Sequence, residues 1–205
     1  MVVIHYTAMA SAAAACDALC NPDRQVSAHY VIAEDGSVTA LVPEESRAWH
    51  AGAGRWGAVM DVNSHSIGIE LANTGATPFA APLMDTLCTL LGGIMDRWSI
   101  HPARVIGHSD MAPGRKIDPG PRFDWRRLAL MGLSVWPEAR QAELDDFAPM
   151  MRAFGYTATD DPNLLLNVFR SRFRPWARGP LDATDAGLIT DLARRFPVDA
   201  GGSAD

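Results

Sequence analysis

The sequence predicts an α+β protein: a mixed central β-sheet flanked by helices, followed by a small three-helix domain. Three observations lead there. Short β-branched, apolar runs are interspersed with helical stretches as far as Gly132. These runs are too unevenly spaced for a clean βαβ repeat. Beyond Gly132 no β-rich run recurs, and only amphipathic helical segments follow.

Val2–Tyr6, VVIHY, has the content of a buried strand. Ser11–Leu19 is alanine-rich and helical. Ser27–Pro43 holds two β-rich runs around EDG, a hairpin signal. Ser66–Gly75 reads as a strand with Gly68 between two isoleucines, and Pro82–Trp98 as an apolar helix. Arg104–His108 is a short strand running into GHSDMAPGRKIDPGP, which has too many Pro and Gly breaks for a helix or a long strand. Phe123–Gly132 is a short helix that closes a first domain, residues 1–132. A linker near Leu133–Pro137 leads to the second domain, residues 137–197. Its helices are expected over Pro137–Phe154, stopped by Gly155; Asn163–Phe173, ended by Pro175; and Asp182–Phe196, capped by Asp182 or Thr184. Residues 198–205 read as a disordered tail.

The chain has 205 residues, 48% of them hydrophobic, enough for one sizeable core or two smaller ones. A net charge of -6 leaves no basic surplus for phosphates, which argues against nucleic acid as a partner. No apolar run reaches the roughly 18–20 residues that a membrane span needs. Cys16, Cys20 and Cys88 form no disulfide framework and no zinc-ribbon spacing, and the first two share a helix face. MVVIHYTAM lacks a basic leader region, so the chain as written is expected in the cytoplasm. A leader lost upstream would instead place it in the periplasm or cell envelope.

The chemistry lies in His5, His108 and Asp118. His5 sits in an apolar strand, where it reads either as a hydrogen-bonded core residue or as a ligand. His108 ends a strand, and reads either as a solvated loop residue or as a second ligand. With Asp118 they would give two imidazoles and one carboxylate, the ligand set of a catalytic zinc site with an open fourth position. Such a site lowers the pKa of water to roughly 7 and makes a nucleophile at neutral pH. Amide hydrolysis further needs a base and a group to stabilise the oxyanion. Glu70 is a lone carboxylate in IGIELAN; it is either that base, its pKa raised by burial, or a strand-edge Glu facing water. Lys116 lies two residues before Asp118, on the same side if the backbone is extended; it either polarises the carbonyl or is a solvated loop residue.

VIHYTA, VSAHYVIAEDG, RAWHAG, SIGIELAN and GHSDMAPGRKIDPGPRFDW occur in this order over about Val2–Trp125. Together they resemble the zinc-dependent N-acetylmuramoyl-L-alanine amidase family of bacterial cell-wall recycling and peptidoglycan amidases. The resemblance implies one zinc ion per chain held by His5, His108 and Asp118, with Glu70 acting on the water and Lys116 stabilising the transition state. It implies cleavage of the amide between N-acetylmuramic acid, in its plain or its 1,6-anhydro form, and L-alanine of the stem peptide. Muropeptides are then the expected partners, and the chain is expected to be a monomer. Trp49, His50, Ala51, Asn73 and Arg115 are expected to line the substrate groove. LLNVFRSRFRP and GPLDATDAGLITDLARRFP look like the small peptidoglycan-binding domain appended to some of these amidases; a structural cap is the favoured alternative. A non-catalytic peptidoglycan-recognition module is the competing reading. Such modules typically lose a metal ligand, and here every ligand and helper position is filled.

Overall fold

The computed structural model describes residues 1–199. Five strands, β1 (Val2–Tyr6), β2 (Tyr30–Ile32), β3 (Val38–Ala40), β4 (Ile67–Leu71) and β5 (Val105–Gly107), form one mixed sheet in the order β3-β2-β4-β1-β5. Only the β2–β3 hairpin is antiparallel. The parallel strands β2, β4, β1 and β5 therefore end along one edge, where α/β proteins place their ligand sites. Among the described residues seven α-helices accompany them: α1 (Ala12–Leu19), α2 (Ala81–Trp98), α3 (His108–Met111), α4 (Trp125–Leu130), α5 (Phe147–Phe154), α6 (Pro162–Phe173) and α7 (Ala183–Arg195). No helix among the described residues is long and apolar enough to cross a membrane.

Side chains alternate across a strand, so each strand divides its residues between two faces. Val2 and Ile4 of β1 join Ile67, Ile69 and Leu71 of β4 on one face, packed by Leu83, Leu87, Leu91 and Ile94 of α2. Fully burying each such side chain contributes roughly 1.5–3 kcal/mol. Val3, His5, Gly68 and Glu70 take the opposite face, because Val3 pairs with Gly68 and His5 with Glu70 in the β1–β4 register. The glycine and glutamate that interrupt IGIEL are thus the positions turned away from α2.

The helices after Gly132 do not enclose a core of their own. Val3, Trp56, Ile106 and Met111 share one cluster with Val135, Phe147, Phe154, Tyr156, Phe169, Phe173 and Leu192. Two further differences from expectation stand out. The helix expected over 137–154 begins at Phe147, preceded by a single 3-10 turn over Leu144–Asp146. Glu138 N and Arg140 Nε bond instead to the buried carboxylate of Asp191, and Gly187 of α7 lets the Arg140 carbonyl come closer than any Cβ would allow. Of the expected tail, Val198 is tied to the fold, its N donating to Ala153 O. Its remaining positions, 200–205, lie outside the described residues.

Candidate metal centre

His5 leaves β1 one residue before its end and is 1% exposed. His108 is the first residue of α3, directly after β5. One turn of helix forms where none was expected, and Ser109 N donates to Asp118 O, strapping the returning loop against it. His5 Nδ1 consequently lies 2.9 Å from His108 Nδ1 and 3.0 Å from Asp118 Oδ2, and His108 Nδ1 lies 3.1 Å from the same oxygen. A tetrahedral ion with bonds of about 2.0–2.1 Å would set its ligand atoms roughly 3.3 Å apart. The triangle matches that spacing closely.

The outer nitrogens say which way each imidazole is protonated. His108 Nε2 is 2.8 Å from Ala51 O, a carbonyl that can only accept, so Nε2 carries the hydrogen and Nδ1 turns a lone pair inward. His5 Nε2 meets His50 Nδ1 at 3.0 Å. Burial first, and then the neighbouring His108, lowers the pKa of His5 to about 4, which keeps it neutral. Two lone pairs and a carboxylate facing one point repel one another unless a cation lies between them. The donor set therefore fits a divalent metal ion, and two nitrogens with one oxygen suit zinc.

Glu70 stands beside His5 on the neighbouring strand. Its Oε2 is buried and has no hydrogen-bond partner among the described residues. Burial and the adjacent Asp118 push its pKa up to about 8, against a smaller opposing pull from Lys116. A cleft of about 480 Å³ opens over these groups, lined by His5, Glu70, His108, Lys116, Asp118 and Trp49 among others. Trp49 is 49% exposed and Ile117 is 71% exposed, so two apolar surfaces flank the polar centre.

Of the other expected groove residues, His50 and Arg115 line the same cleft. His50 is buried and faces His5 rather than the cleft alone. Ala51 contributes a carbonyl to His108, and Arg115 donates to the carbonyls of Ala51 and Ala53, clasping that loop. Asn73 is buried and spends its amide on Thr77, Pro78 and Gly75 N, which fixes the 73–78 turn. Asn73 is not among the residues that line the cleft. Sequence reasoning missed Asp110, Tyr156 and Arg172. Asp110 of α3 is 1% exposed; it accepts from Tyr156 Oη at 2.7 Å, from Arg172 Nη1 at 2.5 Å and from Gly107 N at 2.7 Å. Arg172 also donates to Val105 O and stacks on Trp125. Only the burial of Arg172 within an otherwise apolar helix face could have signalled this.

Comparison with known proteins adds an independent line. The family model described as N-acetylmuramoyl-L-alanine amidase matches residues 1–121. The chain is 32% identical to N-acetylmuramoyl-L-alanine amidase AmiD of Escherichia coli (strain K12), over 97% of this chain and 84% of that protein. It is 41% identical to 1,6-anhydro-N-acetylmuramyl-L-alanine amidase AmpD of Enterobacter cloacae, over 52% of this chain and 57% of that protein. Among solved structures, it is similar to the complex of E. coli AmiD with anhydro-N-acetylmuramic acid-L-Ala-D-gamma-Glu-L-Lys, with a TM-score of 0.87 and 29% identity over 96% of this chain and 89% of that one. It is also similar to AmpDh3 from Pseudomonas aeruginosa in complex with anhydromuramic pentapeptide, with a TM-score of 0.84 and 31% identity over 97% and 92% of the two chains.

Proposed function

The chain belongs to the N-acetylmuramoyl-L-alanine amidase family, and from that premise we propose that His5, His108 and Asp118 hold one zinc ion with which it hydrolyses the amide between N-acetylmuramic acid and L-alanine. The observation that carries this reading is the convergence of three donor atoms at about 3 Å beside a buried, unpartnered oxygen of Glu70.

When bound, the ion supplies Lewis-acid chemistry, acidifying water and polarising a carbonyl. The protein's own groups do the rest. Glu70 takes the proton of the attacking water and delivers it to the leaving amine of L-alanine, so that water adds across the C–N bond. The Lys116 ammonium, on the same cleft, stabilises the oxyanion as a compact point charge. It is the only lysine in the sequence, where every other basic side chain of this class is arginine. Trp49 and Ile117 offer flat and apolar surfaces for sugar and stem peptide.

The helical unit serves as a cap that steadies the catalytic unit. What supports this is the shared core and the pair Tyr156–Arg172, which grips Asp110 two residues from His108. Mass spectrometry of products tests the whole reading. Anhydro-muropeptide and intact sacculi should each be offered to zinc-loaded protein. Release of free stem peptide with an N-terminal L-alanine is expected from the muropeptide. Binding without release would favour the recognition-module reading.

A further inference from the structure

Behind His5 lies a chain of contacts that the reaction itself does not use. His5 Nε2 meets His50 Nδ1 at 3.0 Å, His50 Nε2 lies 3.4 Å from Ser66 Oγ, and Ser66 Oγ donates to Val62 O at 2.5 Å. The last carbonyl only accepts, so hydrogens can run one way throughout. Ser66 donates to Val62, His50 Nε2–H points to Ser66, and His50 Nδ1 is left as an acceptor for His5 Nε2–H. That assignment leaves His5 Nδ1 free to ligate.

The surroundings hold the His50 ring there. Asn63 Oδ1 accepts from both His50 N and Ala51 N, at 3.1 and 2.8 Å. Gly68 of β4 lies beneath the ring, and a Cβ at that position would come within 2.4 Å of His50 Cγ. The glycine between two isoleucines is therefore explained by the histidine it accommodates.

Building on the zinc reading above, we infer that His50 is a positioning residue: it fixes the tautomer and orientation of His5 as a metal ligand, and Gly68 exists to admit its ring. Outer partners of metal-bound histidines typically contribute 10–100-fold to metal affinity.

Zinc affinity, measured by competition with a chromophoric chelator, tests this alongside melting of the metal-free proteins. His50→Ala should weaken zinc binding by roughly 10–100-fold while the melting temperature of the metal-free protein changes little. His50→Asn, whose Oδ1 can stand where Nδ1 does, should bind within a few-fold of wild type. Gly68→Ala should weaken zinc because its methyl displaces the ring, yet the same substitution added to His50→Ala should cost nothing further. Should Gly68→Ala not fold, the comparison of His50→Ala with His50→Asn decides alone. Wild-type affinity in His50→Ala would overturn the inference, as would equal losses from Gly68→Ala in both backgrounds. Wild type with no zinc site, or His108→Ala with an intact one, would instead overturn the metal reading and this inference with it.

Discussion

Glu70 is brought to the cleft by strand register, and its proposed task is separable from that of its neighbours. It pairs with His5 across β1 and β4 but is not one of the three converging donors. Glu70→Ala should therefore keep its zinc while turnover falls by at least about 100-fold, the scale of general acid–base catalysis. Metal content and turnover of the same preparation check this; loss of zinc from the variant would mean that Glu70 is a ligand. His5, Glu70, His108 and Asp118 were legible in the sequence because each stands in a short motif whose chemistry needs that residue type. The contacts of His50, Arg115 and Asn73 were not. Loop residues carry no periodicity, and the partners of the first two lie 45 to 64 positions away.

At the scale of elements, one carboxylate ties α2 to the hairpin side of the sheet. Glu44 accepts from Arg97, from Tyr30 Oη at 2.7 Å and from Trp98 Nε1 at 2.6 Å, and its side chain is only 10% exposed. Arg97 above all, against the cost of burial and with help from Tyr30 and Trp98, lowers the pKa of Glu44 from 4.5 to about 2. A carboxyl depressed in the folded state contributes stability above its unfolded pKa, and loses it as pH falls through the folded one. Wild type should therefore exceed Glu44→Gln by about 1–2 kcal/mol at pH 7 in denaturant unfolding, given the half-exposed Arg97. The gap should narrow as pH falls from about 4.5 towards 2. A gap independent of pH would assign the effect to shape rather than charge. The long helices and buried strands were legible from period and capping: Asp182 is the N-cap of α7, and Gly155 ends α5. The single turn of α3 and the extended 137–143 segment were not. The first is too short to show a period, and the second is held by Asp191 and Gly187 of a helix some fifty residues on.

Among the described residues, two apolar clusters flank the sheet, with the catalytic edge between them. The helical unit covers Val3, Ile106 and Met111 and places Arg172 against Asp110. Removing it would bare that apolar surface and take from Asp110 both of its side-chain partners, Tyr156 and Arg172. Truncation after Gly132 should thus lower the melting temperature and reduce turnover of small muropeptides and sacculi together. A soluble fragment with unchanged melting and unchanged muropeptide turnover would make the helices a recruiting module instead. The two-part organisation was legible from the loss of β-rich runs after Gly132, but the shared core was not, because an amphipathic helix does not say which surface it covers. The proposed chemistry depends above all on the metal. Metal-stripped protein should be titrated with zinc while stem-peptide release from anhydro-muropeptide is followed. Activity should be absent at the start, rise in proportion to added zinc, and level off at about one ion per chain. Full turnover by the metal-free protein, or a plateau that His108→Ala reproduces, would contradict it.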